Sequence, residues 1–212
     1  MTYIACFAIS QMDDDCYRTL YSRSSPQRQE RANACLRRED KLRCIASDAL
    51  TRYALRQMSG RDDLTVSVNK YGKPYIPDAP DFHFNLSHSG RWVVIAYGGS
   101  PVGIDVQQLR SDAPIEKLTR RHFTADEQAY ILCADGQEQV ARFYQVWTGK
   151  ESYLKYLGTG LRIPLASFHV VPDGSLPDVC LTYRQLEDHC LCLCAPAKEV
   201  ILTILHKQDL LA

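Results

Sequence analysis

The sequence predicts an α+β protein built from two similar lobes that meet near residue 100. Each half of the 212-residue chain offers a long helical region and several short strands. Turn-forming residues separate consecutive strands, and connections this short favour antiparallel pairing. No low-complexity segment or long linker divides the halves, so we expect a first lobe over residues 1–101 and a second over 102–212.

In the first half, residues 2–9 read as a strand and residues 26–57 as one helix. The helical region contains good helix formers, has apolar residues at helical spacing, and lacks internal glycine or proline. The two serines before Pro26 predict its start, and Gly60 predicts its end. Further strands are predicted at 64–68, 82–87, 92–98 and 102–107.

The second half repeats this order loosely. A helical region is predicted over 114–157 with an interruption near Asp135 and Gly136, followed by strands near 166–171, 179–184, 189–194 and 199–205. Alternation in the last-but-one strand places Cys190, Cys192 and Cys194 on one face. We interpret these thiols as small buried hydrophobic groups.

Composition narrows the class of protein. Basic and acidic residues number 25 each, which gives no support for a general nucleic-acid or membrane-surface binder. Nine cysteines, an odd count, with no recognisable export signal predict reduced thiols and a cytoplasmic location. No stretch approaches the ~20 apolar residues that span a bilayer.

The first segment with chemical potential is the strand at 102–107, VGIDVQ. Alternation places Asp105 and Gln107 on one face. A carboxylate on an apolar strand needs a partner, and oxygen ligands of this kind suit Mg²⁺. Taken alone, the segment is explained more simply by an acid that caps a turn at the end of a strand.

The second segment is the helix at 147–158, where Trp147, Glu151 and Lys155 share one face at i, i+4 spacing. Trp147 can pack while Glu151 and Lys155 line a cleft. The alternative is an exposed Glu–Lys pair, which contributes only a few tenths of a kcal/mol.

Two further segments could bind anions. Ser87 and His88 lie at a strand end beside a glycine turn, but adjacent strand residues point to opposite sides and so do not form a hydrolase pair. Arginines between residues 28 and 43, with Lys73 in the turn at 71–74, suit phosphate oxygens. The alternatives are a structural histidine and a solvated helix face.

Together and in this order, the segments resemble the Sfp-type 4′-phosphopantetheinyl transferases. The likeness is carried by VGID at 102–105, WTGKESYLK at 147–155, FNLSHS at 84–89, YGKP at 71–74 and RED at 38–40. It extends from about residue 25 to about residue 170 and weakens in the last forty residues.

The resemblance implies a pseudo-twofold α+β fold with coenzyme A and Mg²⁺, or alternatively Mn²⁺, in the cleft between the lobes. It implies transfer of the phosphopantetheine arm of coenzyme A to a serine of an apo acyl or peptidyl carrier protein, with release of 3′,5′-ADP. Members with two lobes are usually monomers, and we expect no nucleic-acid or membrane partner. Fatty-acid, polyketide, nonribosomal-peptide and lysine pathways remain open.

By the same resemblance, the metal ligands are Asp105, Gln107 and Glu151, and the catalytic residues are Glu151, Lys155 and Asp105. Glu127 is a second candidate for the general base. The positions expected to bind the coenzyme are Arg28, Arg31, Arg43, Lys73, Ser87, His88, Lys150 and Lys155. Many relatives carry glutamate where this chain has Gln107, which removes one negative charge from the metal site.

Two other functions compete with this interpretation. The same fold could bind coenzyme A or a carrier without turnover, but Asp105, Glu151 and Lys155 are all present. The arginine-rich helix could belong to a nucleic-acid module, but the neutral net charge and the acids among its arginines count against that.

Overall fold

The computed structural model describes residues 1–63, 65–171, 176–196 and 199–212. Its first half contains β1 (Thr2–Ala8), α1 (Asp14–Arg23), α2 (Pro26–Ala34), α3 (Arg38–Ser59), β2 (Ser67–Val68), β3 (Pro74–Tyr75), β4 (His83–Ser89) and β5 (Trp92–Gly98). Its second half contains β6 (Gly103–Gln108), α4 (Ile115–His122), α5 (Ala125–Leu132), α6 (Gly136–Leu157), β7 (Cys180–Leu186), β8 (His189–Ala195), β9 (Val200–Leu205) and α7 (Lys207–Leu211).

Among the described residues, β2 and β3 form a small two-stranded sheet, and the two larger sheets are each covered by one 22-residue helix. The first sheet has the order β4-β5-β1-β9 and packs against α3, while the second has the order β6-β8-β7 and packs against α6. All pairs are antiparallel except β1 with β9. The predicted α+β class with two lobes is therefore confirmed.

The C-terminal strand links the halves. β9 pairs with β1 through residues Thr2–Phe7, so the last part of the chain completes the first sheet. The division of the chain into lobes of residues 1–101 and 102–212 stays a prediction. Strand β9 departs from it, because β9 follows residue 102 in the chain and yet pairs within the first sheet.

A side-chain contact joins the facing edges of the two sheets. On β4, the side chains of Asn85, Ser87 and Ser89 accept hydrogen bonds from backbone N–H groups of β6. The donors are residues 104, 106 and 108, at 2.9, 3.3 and 3.0 Å. We call this contact the β4–β6 seam. Its polar side chains replace the carbonyls that would bond these amides in a continuous sheet.

Apolar side chains from both sheets also pack against one another beside the β4–β6 seam. Ile4, Val94 and Ala96 from the first sheet form one buried cluster with Ile104 and Leu193 from the second. Two other clusters lie under the helices, one beneath α1–α3 and one around α4–α6. Among the described residues, no helix has both the length and the apolar composition to cross a membrane.

The predicted thiol face is confirmed on β8. Cys192 and Cys194 are buried and Cys190 is partly buried. The hydroxyls of Thr148 and Ser152 on α6 lie 3.4 Å from the sulfurs of Cys190 and Cys192. All nine cysteines fall within the described residues and are free thiols.

The single helix predicted over 26–57 was wrong, because the chain forms α2 and α3 with a break at residues 35–37. Cys35 and Arg37 adopt extended backbone angles (ψ 132° and 142°), and the Leu36 side chain between them is fully exposed. The break lets α2 fold back on α3. Cysteine, leucine and arginine have ordinary helix propensities, so local sequence gives no warning of it.

Other predictions differ in detail. Helix α1, capped by Asp13, was not predicted. The strand predicted at 166–171 was wrong: the segment begins with a 3-10 turn, Leu165–Ser167, and side chains bond its backbone instead of a neighbouring strand. Of the strand predicted at 64–68, residue 64 lies outside the described residues and only Ser67–Val68 is extended in a ladder.

Gly103 fixes how closely β6 approaches α6, which yields a first prediction. A Cβ atom at Gly103 would lie 2.0 Å from the Ser152 carbonyl oxygen and 2.3 Å from the Tyr156 nitrogen. Because both are backbone atoms of a packed helix, we expect Gly103→Ala to lower the free energy of unfolding by about 3 kcal/mol in a urea titration. Gly99→Ala is the matched control, since no atom lies within 4 Å of its Cβ position. Equal stability of the two variants would contradict the close approach.

Candidate functional site

The centre of the site is the carboxylate of Asp105, which strand β6 carries into the seam with only 2% exposure. Its Oδ1 accepts hydrogen bonds from the Ser87 hydroxyl at 2.8 Å and the Lys155 ammonium at 2.7 Å. Its Oδ2 accepts one from the Gln107 amide at 3.2 Å. The alternation read from the sequence thus places Asp105 and Gln107 on one face, as predicted.

Helix α6 contributes the second part of the site. Glu151 and Lys155 lie one turn apart on the face toward β6, and the Lys155 ammonium also donates to the Ser87 hydroxyl at 3.1 Å. Burial, and next the negative charge of Asp105, raise the pKa of Glu151, while Lys155 partly opposes the shift. The two carboxylates therefore lie close enough to repel each other.

Glu151 and Lys155 line a cavity of about 240 Å³ between the lobes. Its walls come from the turn before β3, from β4 and from the C-terminal half of α6. The lining residues are Tyr71, Gly72, Lys73, Pro74, Asn85, Glu151, Leu154, Lys155, Gly158 and Gly160.

Positive side chains border the cleft on the first-lobe side. The Arg43 guanidinium donates to the Gly90 carbonyl at 2.7 and 3.0 Å and to Asp40 at 2.6 Å, which ties α3 to the β4–β5 turn. Partial burial first, and then the charges of Arg43 and Lys155, lower the pKa of His88. A bound anion would reverse the electrostatic part of this shift.

Two predicted coenzyme-binding residues lie farther out, on α2. The Arg28 Nε is 3.4 Å from the buried Asp48 carboxylate, which also pairs with Arg52 at 3.1 Å. Arg31 is exposed to solvent. The structure does not bring either arginine into contact with the Asp105 group.

Lys73 is placed differently from the expectation of phosphate binding. Its ammonium donates to three backbone carbonyls, those of Lys155 (2.8 Å), Tyr156 (2.9 Å) and Val102 (3.2 Å). Burial lowers the pKa of Lys73 to about 8. All three of its N–H bonds are committed to the C-terminal end of α6 and the approach to β6, so Lys73 lines the cavity without a free ammonium.

Lys150 does not reach the cleft. Its side chain and that of Glu127 are both 0% exposed, with 2.8 Å between the Lys150 Nζ and a Glu127 carboxylate oxygen. The pair lies on the far side of α6 from Asp105, among the aromatic side chains of the second lobe. Neither residue joins the group formed by Asp105, Glu151 and Lys155.

Comparison with known proteins now identifies this arrangement. Residues 101–204 match the model of the 4'-phosphopantetheinyl transferase superfamily, and residues 13–99 match that of the 4'-phosphopantetheinyl transferase N-terminal domain. The chain is 36% identical over 185 residues to 4'-phosphopantetheinyl transferase Sfp of Bacillus subtilis (strain 168), covering 81% of each protein. The chain belongs to the 4′-phosphopantetheinyl transferase family. It is therefore an enzyme of the transferase class.

Other relatives support the same assignment. Over 201 residues the chain is 32% identical to 4'-phosphopantetheinyl transferase ffp of Bacillus subtilis, covering 88% of this chain and 87% of the relative. Over 189 residues it is 31% identical to 4'-phosphopantetheinyl transferase psf-1 of Bacillus pumilus, covering 82% and 80%.

The family implies a divalent cation, and the donor set at the cleft fits one. Among the described residues, no three side chains drawn from His, Cys, Asp and Glu form a metal cluster. Asp105 and Glu151 nevertheless converge, and Gln107 lies on the same strand face with its amide nitrogen toward Asp105, so that a flip of the amide would present its oxygen instead. Two carboxylates with an amide or water suit Mg²⁺, which usually keeps several waters.

Asn85 and Ser89 belong to the site framework, although sequence reasoning gave neither a structural role. The sequence pattern that could have revealed this role is the alternation of polar side chains at 85, 87 and 89, in a strand whose partner β5 is wholly buried. A polar period of two on a buried edge indicates side chains that replace backbone hydrogen-bond partners.

The raised pKa of Glu151 yields a second prediction. Between the ordinary value of 4.5 and its raised value in the folded enzyme, the folded state holds a proton that the unfolded state has lost. Stability therefore falls as pH rises through this window and stays lower above it. We expect Glu151→Gln to raise stability at pH 7.5 by about 1 kcal/mol, or roughly 3 °C in Tm, with a smaller gain at pH 4.5.

The matched control is Glu199→Gln, which neutralises an exposed acid outside the cleft. Its melting temperature should follow that of the wild type across the same pH range. A Glu151→Gln variant that is less stable than the wild type at pH 7.5 would show that the carboxylate is stabilised, and not strained, in the folded protein.

Proposed function

We propose that this enzyme transfers the 4′-phosphopantetheine arm of coenzyme A to a serine of an apo carrier protein and releases 3′,5′-ADP. The observation that carries the proposal is the convergence of Asp105, Glu151 and Lys155 in a cleft bordered by Arg43 and His88. Phosphoryl transfer depends on positioning and on neutralisation of charge more than on covalent help from the enzyme. This group offers both.

In the proposed site, Mg²⁺, or alternatively Mn²⁺, is held by Asp105 and Glu151, with Gln107 or a water as a further ligand. When bound, the ion would neutralise negative charge on the pyrophosphate of coenzyme A. An amide at Gln107 supplies less negative charge than a carboxylate would. We therefore expect cation binding by the free enzyme to be weak and to gain from the phosphates of the coenzyme.

Glu151 is the proposed general base. It lines the cleft one helical turn from Lys155, and a carboxylate oxygen that is not bound to the ion could accept a proton there. It takes the hydroxyl proton of the carrier serine, directly or through a water, as the serine oxygen bonds to the phosphorus of the phosphopantetheine. The bond from that phosphorus to the ADP oxygen breaks, and Lys155 neutralises or protonates the departing oxygen.

Binding of the remaining phosphates falls to side chains with free donors. We propose Arg28, Arg31, Arg43 and His88 for this role, whereas Ser87 stays a prediction because its one hydroxyl hydrogen is donated to Asp105. The ammonium groups of Lys73 and Lys150 already have three partners each, so the proposal gives them no direct contact with coenzyme A.

The carrier is the proposed protein partner. Acyl and peptidyl carriers are typically acidic, and the exposed basic side chains of Arg120 and Arg121 at the end of α4 offer complementary charge. Action as a cytoplasmic monomer, without nucleic acid or membrane, stays a prediction from the sequence.

A transfer assay tests the function. Purified enzyme, coenzyme A and Mg²⁺ are incubated with apo carriers from several pathways, and intact mass is measured. We expect one phosphopantetheine adduct on an accepted carrier, none on its Ser→Ala variant, and a loss of about 10³-fold in rate for Glu151→Gln. Coenzyme A binding without an adduct on any carrier would favour the binding-protein alternative.

The proposed metal site yields a prediction about Gln107. Gln107→Glu adds one negative charge, so we expect the Mg²⁺ concentration for half-maximal rate to fall by roughly tenfold, equivalent to about 1.4 kcal/mol. Mn²⁺ binding to the free enzyme, followed by electron paramagnetic resonance, should tighten in parallel. Gln137→Glu adds the same charge at an exposed position at the N-terminal end of α6, and it should change neither the Mg²⁺ requirement nor the binding of Mn²⁺. No change in Gln107→Glu would place this side chain away from the metal.

A further inference from the structure

The buried ion pair of Lys150 and Glu127 is the largest polar feature that the proposed mechanism does not use. Lys150 lies in the middle of α6, and Glu127 lies in the first turn of α5. Both side chains are 0% exposed, and their charged atoms are 2.8 Å apart. A charged pair this deeply buried persists only when its other hydrogen-bonding groups are also satisfied.

Every polar atom of the pair has partners. The Lys150 ammonium also donates to the carbonyls of Leu165 (2.7 Å) and Phe168, and it lies 4.4 Å from the centre of the Phe168 ring. One Glu127 oxygen accepts from the Thr124 N–H and hydroxyl, both at 3.0 Å. The other accepts from the Val170 N–H at 2.9 Å. The pair thus joins α5, α6 and the segment from 165 to 170.

This arrangement gives both residues a different role from the one that the sequence suggested. A Lys150 ammonium with three partners has no donor left for a phosphate. A Glu127 carboxylate that accepts four hydrogen bonds away from the cleft has no access to a carrier serine. Both residues are nevertheless adjacent to the chemistry along the chain, because Lys150 immediately precedes Glu151 on α6.

Successive side chains on a helix point about 100° apart. Fixing the direction of Lys150 on one side of α6 therefore fixes the direction of Glu151 on the next. On the cleft side, the close approach at Gly103 holds the same helix against β6. Contacts on both sides set the rotation of α6 about its axis.

We propose that the Glu127–Lys150 pair is a positioning device that aims the Glu151 carboxylate into the cleft and touches neither coenzyme A nor the carrier. The proposal rests on the proposed function, since Glu151 acts there as the general base. It makes Lys150 and Glu127 positioning residues. The α5 helix and the segment from 165 to 170 thereby become the support of the catalytic helix.

The test compares the double variant Glu127→Gln/Lys150→Met with the wild type. Removing both charges together avoids leaving one buried and uncompensated, so the double variant is the one expected to fold. Its fold is checked by circular dichroism and thermal melting. We expect KM for coenzyme A within about twofold of the wild type and a kcat ten- to hundredfold lower, because a small displacement of a catalytic group is enough for such a loss.

A fall in kcat with KM kept, in a protein that still melts cooperatively, separates positioning from general loss of structure. The single variant Glu127→Asp keeps both charges of the pair, so its kcat should lie between that of the double variant and that of the wild type. Asp15→Asn/Arg18→Met is the control, since it neutralises a surface pair on α1 whose side chains are 88% and 73% exposed, and should leave kcat and KM unchanged.

Three results would overturn the proposal. A tenfold rise in KM and in the Kd for coenzyme A, with kcat kept, would assign Lys150 to coenzyme binding. A wild-type kcat in the double variant would show that the pair does not aim Glu151. A loss of about 10³-fold in kcat in the double variant but not in Glu151→Gln would make Glu127 the base. Transfer by the wild type in the same assay keeps these outcomes distinct from a failure of the proposed function.

Discussion

Three backbone amides of β6 donate to side chains of β4, and the position of every other group in the cleft depends on this seam. Asn85, Ser87 and Ser89 let two separate sheets meet edge to edge without a shared backbone ladder. Ser87 has a second role: its oxygen accepts from Val106 and Lys155, and its hydroxyl donates to Asp105. The contact that joins the lobes therefore also orients the acid at the centre of the site.

Helix α6 reaches this seam held at three places along its length. Gly103 admits the helix backbone near Ser152 and Tyr156. Lys73 bonds the carbonyls at its C-terminal end, where the positive charge also favours the helix dipole. Lys150 anchors its far side in the second lobe. Glu151 and Lys155 lie between these contacts, so side chains with rotational freedom in an isolated helix are confined to the cleft.

The family resemblance implied that Asp105, Glu151 and Lys155 converge, whereas short-range periodicity alone placed each residue on one face of its own strand or helix. Periodicity could not predict which way Lys150 points. A helix buried on two sides shows apolar and charged residues all round, so its sequence does not say which side meets the cleft. Lys73 and Glu127 were placed by resemblance, which carries positions and not hydrogen-bond partners.

The larger differences between the predicted and the observed elements also arise from contacts between residues that are distant along the chain. The break at residues 35–37 depends on α2 packing against α3, and the parallel pairing of β9 with β1 joins the two ends of the chain. The segment at 166–171 has a strand-like composition, but its backbone groups are bonded by Lys150 and Glu127. Local propensity is a weak guide wherever such tertiary contacts decide the backbone.

Two of the ion pairs made by α6, Lys150–Glu127 and Lys155–Asp105, show how one helix can be both support and catalyst. Lys150 and Glu127 are closed to solvent, have every donor and acceptor bonded, and can be rearranged only by unpacking α5 from α6. Lys155 and Asp105 form a pair of similar length, but the Lys155 side chain is 28% exposed and borders an open cavity. Its ammonium can exchange Asp105 for another anion at small cost in hydration, because solvent already reaches it. The closed pair therefore suits a fixed structural role, and the open pair suits a charge that must follow the substrate.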